Sequence, residues 1–120
     1  MKHLLIVAHG SRREQSNREV RLLAEKVATE MPFAIDEVLV AFLEFASPSI
    51  GEAINSCITR GVKEIIVLPY FLSAGNHVVK DIPREINKAM EKWPDKKITI
   101  LPYIGTVDEM PSLIGKCCGD

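Results

Sequence analysis

Two short, unbroken apolar runs, Leu4-Leu5-Ile6-Val7-Ala8 and Ile65-Ile66-Val67-Leu68, constrain the fold of this chain more than anything else in it. A strand with one wet face alternates polar and apolar residues, whereas a strand covered on both faces has no reason to. These runs therefore belong in the middle of a parallel sheet with helices on both sides. They are far too short for the ~18 apolar residues of a membrane span.

Helical patterns fill the intervals. Val20, Leu23, Ala24, Val27 and Met31 recur at spacings of three and four, and Pro32 ends the segment. Ser11 followed by Glu14 predicts a capping box at its start. A second strand is expected over Glu37 to Leu43, and Ser47-Pro48 is expected to open a second helix carrying Ile50, Ala53, Ile54, Cys57 and Ile58, with Gly61 at its end. Asp81 and Pro83 begin a third helix, with Ile82, Ile86, Ala89, Met90 and Trp93 on one face before Pro94. A fourth strand covers Ile98 to Tyr103, and a short helix follows near Met110 to Lys116. The order is βαβαβαβ in one domain, residues 1–120. Right-handed crossovers then predict an α/β fold with a four-stranded parallel sheet and helices on both faces, and the expected strand order is the flavodoxin-like 2-1-3-4.

Charge narrows the classes of partner. Fifteen basic and sixteen acidic residues leave a formal net charge of −1, so no global field draws the chain to nucleic acid or an anionic membrane. No secretory signal pattern fits the N-terminus, and the expected location is cytoplasmic. The three cysteines form no CxxC pair: Cys57 lies in an apolar helical pattern and is read as a buried thiol, and Cys117-Cys118 are adjacent near the C-terminus.

In such a sheet, ligands bind beyond the C-terminal ends of the strands. His9-Gly10-Ser11-Arg12 follows strand 1, Glu44-Phe45-Ala46-Ser47 closes strand 2, Leu72-Ser73-Ala74-Gly75-Asn76-His77 follows strand 3, and Gly105-Thr106 follows strand 4. Two of the three histidines thus fall on one edge, and they converge if strands 1 and 3 are neighbours. Imidazole is the commonest protein metal ligand and suits divalent cobalt, nickel, iron and zinc. Each histidine taken singly could equally pack at a strand end, but the pair favours a site. His3, at the opposite end of strand 1, is expected on the surface. Gly10-Ser11-Arg12 could hold an anion through backbone N–H groups and the guanidinium, with Arg13 and Lys80 beside it, or simply cap a helix. Glu44 is either a ligand-facing carboxylate or an ordinary exposed one. Gly75 allows a close backbone approach or a positive φ. Phe45, Phe71 and Leu72 give the edge apolar surface or belong to the core.

These residues resemble a known family. His9-Gly10-Ser11-Arg12, Glu44-Phe45 with Pro48, and the stretch from Leu68 through Phe71-Leu72-Ser73-Ala74-Gly75-Asn76-His77 into Asp81-Ile82-Pro83 are similar to the short sirohydrochlorin chelatases, small class II chelatases that insert cobalt, or in some members nickel, into sirohydrochlorin. The likeness runs from strand 1 to Gly105. It implies a metal-free tetrapyrrole substrate, a divalent metal (Co²⁺ or Ni²⁺) as second substrate, no organic cofactor and no ATP. It further implies that His9 and His77 bind the metal, with His9 as proton acceptor, and that Ser47 and Leu72 to His77 line the macrocycle. Arg12 and Glu44 join the substrate-binding set on the reading above. Some relatives have a histidine where Ala74 stands, a histidine-rich segment or a cysteine-rich tail, and this sequence has none of these. Larger class II chelatases place two such domains across the cleft, so the resemblance implies a homodimer. Competing readings are a metal or tetrapyrrole carrier using the same residues and a histidine phosphatase. Against the latter, Ala8 stands where those enzymes have an arginine.

Overall fold

Strand β1 (Lys2–Ala8) lies between β2 (Glu37–Phe42) and β3 (Glu64–Pro69), and this central position accounts for its unbroken apolar run. In the computed structural model the sheet order is β2-β1-β3-β4, with β4 at Lys97–Ile100, and every pairing is parallel. The structure describes residues 1–32, 34–73 and 75–119, with His77 and Val78 described by their backbone alone.

Alternate residues of the central strands feed two cores. Leu5, Val7, Ile65 and Val67 pack with Ile50, Ala53, Ile54 and Cys57 of α2 (Ile50–Thr59) and with Ile82, Ile86 and Ala89 of α3 (Ile82–Lys92). On the other face Leu4 and Ile6 meet Ala24 and Val27 of α1 (Glu14–Ala28). Helices therefore cover both faces, as expected. The thiol of Cys57 is buried, and burial pushes its pKa up. Helix α4 (Met110–Cys117) packs only against the 3₁₀ turn Ile104–Thr106 among the regular elements it contacts closely, and Leu113 and Ile114 are exposed on it. Among the described residues, no helix is long and apolar enough to cross a membrane.

Several local expectations need correcting. The capping box forms at α2, not α1: Ser49 Oγ accepts from the Glu52 N–H at 3.2 Å, and Glu52 Oε1 accepts from the Ser49 N–H at 2.8 Å. Ser47-Pro48 lies outside that helix and is joined by a cis peptide. Ser11 caps no helix in this way, because α1 begins only at Glu14: the Ser11 hydroxyl accepts from Arg13 N–H, and the Glu14 carboxylate accepts from Asn17 and Arg21. Strand β4 stops at Ile100, short of Tyr103. Met90 is largely exposed rather than part of the core stripe.

His3 is the plainest correction. It is 1% exposed, because strand parity puts it on the same face as Leu5 and Val7. Its Nε2 lies 3.8 Å from Glu37 Oε2, which also receives Arg60 Nη1 at 2.8 Å. Its Nδ1 is buried without a hydrogen-bond partner among the described residues. Desolvation, the largest influence, lowers its pKa despite the neighbouring Glu37 carboxylate.

Candidate functional site

The connections after β1 and β2 are locked together at their start. Leu43 N–H donates to Ala8 O at 3.0 Å and Glu44 N–H to His9 O at 2.9 Å, continuing the strand pairing beyond β2. Gly10 then adopts φ +91°, and a Cβ on it would run into the carbonyl oxygen of Glu44. Only glycine fits there, so the close approach of the two backbones depends on it.

That approach sets His9 beside Glu44. His9 Nδ1 lies 3.0 Å from the Gly10 carbonyl oxygen. A carbonyl can only accept, so the neutral ring carries its hydrogen on Nδ1. Nε2 lies 3.5 Å from Glu44 Oε2. An imidazole nitrogen and a carboxylate oxygen at this separation share a proton or flank a cation. Both side chains are accessible from solvent, at 42% and 44% exposure. Glu44 is therefore both exposed and beside His9.

Arg12 and Phe45 complete this cluster. The Arg12 guanidinium lies over the Phe45 ring, 4.8 Å from its centroid, and the His9 and Phe45 ring centroids are 6.4 Å apart at 53°. The expected anion cradle of backbone N–H groups is largely consumed internally. Ser11 N–H donates to Asn17 Oδ1 at 2.9 Å, Arg13 N–H donates to Ser11 Oγ at 3.0 Å, and Asn17 Nδ2 donates to Ser11 O at 2.8 Å. The Arg13 guanidinium turns to Gln15 Oε1. Arg12 is thus the basic group this connection brings to the cluster, and Lys80 is exposed in the turn after His77.

Asn17 carries no motif in the sequence, yet it is only 2% exposed. A signal for it exists all the same: it occupies the core-facing stripe of α1 at helical spacing from Val20 and Ala24, where an apolar residue belongs. A polar residue at such a position needs built-in partners, and Ser11 supplies them.

The connection after β3 reaches the same edge, because β1 and β3 are neighbours. Leu72 is 73% exposed, Ser73, Gly75 and Asn76 are exposed, and Phe71 packs against the core. His77 opens a π-helical turn, His77–Asp81, that leads straight into α3. The side chain of His77 and residue Ala74 lie outside the described residues. Gly75 has no positive φ, and among the described residues nothing lies within 4 Å of where a Cβ on it would stand. The demanding glycine here is Gly105, whose Cβ would strike the carbonyl of Leu72 and whose N–H donates to Phe71 O at 3.0 Å. It pins this loop from the β4 side. Ser47 sits farther along the β2 connection, exposed, with its carbonyl accepting from Arg21 Nη2 at 3.3 Å. Its ties run to α1.

Between the end of β2 and the starts of α2 and α3 is a cleft of about 200 Å³ walled by Glu44, Asp81, Arg84 and Glu85. It is smaller than the ~300–1,000 Å³ of ordinary small-molecule pockets. This cleft is too small to enclose a broad ligand.

A parallel sheet covered on both faces, with an imidazole and a carboxylate 3.5 Å apart at its C-terminal edge, defines a small doubly wound α/β protein with its candidate site on that edge. The chain belongs to the CbiX family, whose model matches residues 3–118. It is 43% identical over 84 residues to the sirohydrochlorin cobaltochelatase of Methanocaldococcus jannaschii, a match covering 70% of this chain and 57% of that protein. The matched stretch spans little more than half the length of this and two other curated sirohydrochlorin cobaltochelatases, from Methanococcus aeolicus and Methanococcus maripaludis. Its fold superposes with TM-score 0.84 on a Marinobacter aquaeolei VT8 chain described as a cobalamin (vitamin B12) biosynthesis CbiX protein, at 26% identity, covering 98% of this chain and 94% of that one. It superposes equally, at 27% identity, on the sirohydrochlorin chelatase SirB of Bacillus subtilis subspecies spizizenii in complex with cobalt, covering 96% of this chain and 48% of SirB.

Proposed function

We propose that this chain inserts a divalent metal, cobalt foremost and nickel as an alternative, into sirohydrochlorin without ATP. The observation that carries the proposal is the approach of His9 Nε2 to Glu44 Oε2, 3.5 Å apart on an open sheet edge. The cobaltochelatase activity named for the M. jannaschii relative and the cobalt held by SirB support it.

On this reading His9 and His77 hold M²⁺, with Glu44 beside it. Two ligands and a carboxylate leave the ion under-coordinated, so transfer to four ring nitrogens is downhill. Insertion releases two pyrrole protons. Once the metal has passed to the ring, the vacated His9 nitrogen accepts one of them and the Glu44 carboxylate the other, and both pass on to water. Arg12 pairs with the carboxylates of the macrocycle, which Ser47 and the loop Leu72, Ser73, Ala74, Gly75 and Asn76 line.

The open edge leaves a large ring half covered. A homodimer supplies the facing half, each copy contributing one domain, and the exposed Leu113 and Ile114 of α4 offer apolar surface for the contact. The reaction belongs to the cytoplasm, with no nucleic acid or membrane involved.

The test mixes purified protein, sirohydrochlorin and Co²⁺ or Ni²⁺ under anaerobic conditions and follows the absorption change against an enzyme-free blank. Metallation above the blank, abolished by His77→Ala, is expected. Binding without metallation would make the chain a carrier, and full activity in His77→Ala would overturn the site. Light scattering of the active protein checks the dimer, which a strictly monomeric active species would refute.

A further inference from the structure

Phe45 has φ +63°, and among the described residues it is the one non-glycine with positive φ. A bulky side chain seldom occupies that region, and such outliers gather where function holds them in place. Packing does not explain this one. Phe45 is 53% exposed and belongs to neither core cluster. A strained backbone therefore holds an aromatic ring out in water, where it gains little.

The surroundings indicate what covers the ring. One guanidinium, that of Arg12, lies 4.8 Å from its centroid, and the His9 imidazole is 6.4 Å away at 53°. Arg12 thus covers one face of the ring, and the remainder, with Phe45 53% exposed, is open beside the His9–Glu44 pair. A ligand matched to all three is flat, conjugated and bordered by carboxylates, and it presents ring nitrogens toward His9. We infer that Phe45 is the platform on which one pyrrole unit of the macrocycle stacks, its left-handed backbone keeping the ring raised beside the metal-holding pair. This rests on the function proposed above and assigns the planar recognition to a single residue. A macrocycle resting there by one pyrrole brings its centre toward His9, while Arg12 at the rim meets a peripheral carboxylate. Stacking of this kind adds affinity beyond the area it buries.

The test titrates metal-free sirohydrochlorin into the full chain and its Phe45→Tyr, Phe45→Leu and Phe45→Gly variants, reading fluorescence quenching, with thermal midpoints and light scattering alongside. Phe45→Tyr should bind like the wild type, and Phe45→Leu and Phe45→Gly should each weaken binding roughly tenfold. Phe45→Gly relieves the backbone, so its thermal midpoint should equal or exceed that of the wild type. Wild-type affinity in a folded Phe45→Gly protein would overturn the inference while leaving the proposed function standing. So would variants that change only the monomer–dimer balance, which would put Phe45 in a subunit contact. If the wild type itself fails to bind the tetrapyrrole, the proposed function falls, and this inference with it.

Discussion

Gly10 and the carbonyl oxygen of Glu44 are packed so closely that no side chain fits between them, and Gly10 holds φ +91° to make the approach. The contact joins the connections after two neighbouring strands, and His9 meets Glu44 because of it. Replacing Gly10 with Ala should therefore cost about 2 kcal/mol or more in stability, from both the strained φ and the clash. It should also reduce metallation. Gly75→Ala, at a position with neither constraint, should stay within about 0.5 kcal/mol of the wild type. Chemical denaturation of the two variants compares them directly.

Glu44 faces His9 Nε2, and a cation between them needs its charge. Glu44→Gln keeps the shape and removes the charge, so it should weaken Co²⁺ binding by about tenfold or more. Calorimetric titration with Co²⁺ alone, without tetrapyrrole, measures this apart from turnover. An unchanged affinity would place Glu44 outside the metal site.

Asn17 ties the Ser11 backbone to α1 by one accepted and one donated hydrogen bond. Asn17→Ala leaves both Ser11 groups without those partners, and the expected loss is about 1–3 kcal/mol. The connection carrying Arg12 should loosen with it. Amide exchange at Ser11 and Arg13 should accelerate more than exchange in β1, and equal protection in both would contradict the assigned role.

His3 makes stability depend on pH. Its folded pKa lies below the ordinary 6.5, chiefly through burial, with Glu37 and Asp36 opposing the shift and Arg60 and the N-terminus adding to it. Below about pH 6.5 the unfolded chain takes up a proton that the folded chain refuses, so stability falls with pH. The slope is up to about 1.4 kcal/mol per pH unit until the folded group also titrates. Above about pH 7.5 both states are neutral and the contribution is flat. Urea denaturation at about pH 7.5 and about pH 5.5 should show this loss in the wild type and a smaller one in His3→Gln.

The opposite sign applies at the start of α2. The Ser49 N–H and hydroxyl hold the Glu52 carboxyl below its usual range. Its contribution is present at neutral pH and is lost as the pH falls through that lowered value. Ser49→Ala should cost about 1 kcal/mol near neutral pH and less at about pH 3, read by denaturation at both.

Much of this molecule is written in spacing. The unbroken runs at Leu4 and Ile65 require burial on both faces, the stripes of α2 and α3 require a core to face, and short connections leave few topologies. The edge bearing His9, Glu44 and the loop before His77 follows from these, while the pairing of β1 with β3 is a property of the folded sheet. The capping box is not legible because Ser11–Glu14 and Ser49–Glu52 read alike locally; in the fold α1 starts only at Glu14, and the Ser11 hydroxyl accepts from Arg13 N–H instead. The burial of His3 is not legible because its position beside Lys2 looks like a strand end, whereas pairing with both Glu37 and Ile65 carries the sheet past it.

The sequence by itself determined which elements form, the class of sheet they build and the edge where its histidines gather, because periodicity and chain connection are local properties. Only the tertiary structure decided that Glu44 faces His9, that Gly10 and Gly105 are the indispensable glycines, and that Phe45 stands strained and exposed beside Arg12. Those relations depend on distances between segments remote in sequence, which packing sets and spacing along the chain does not encode.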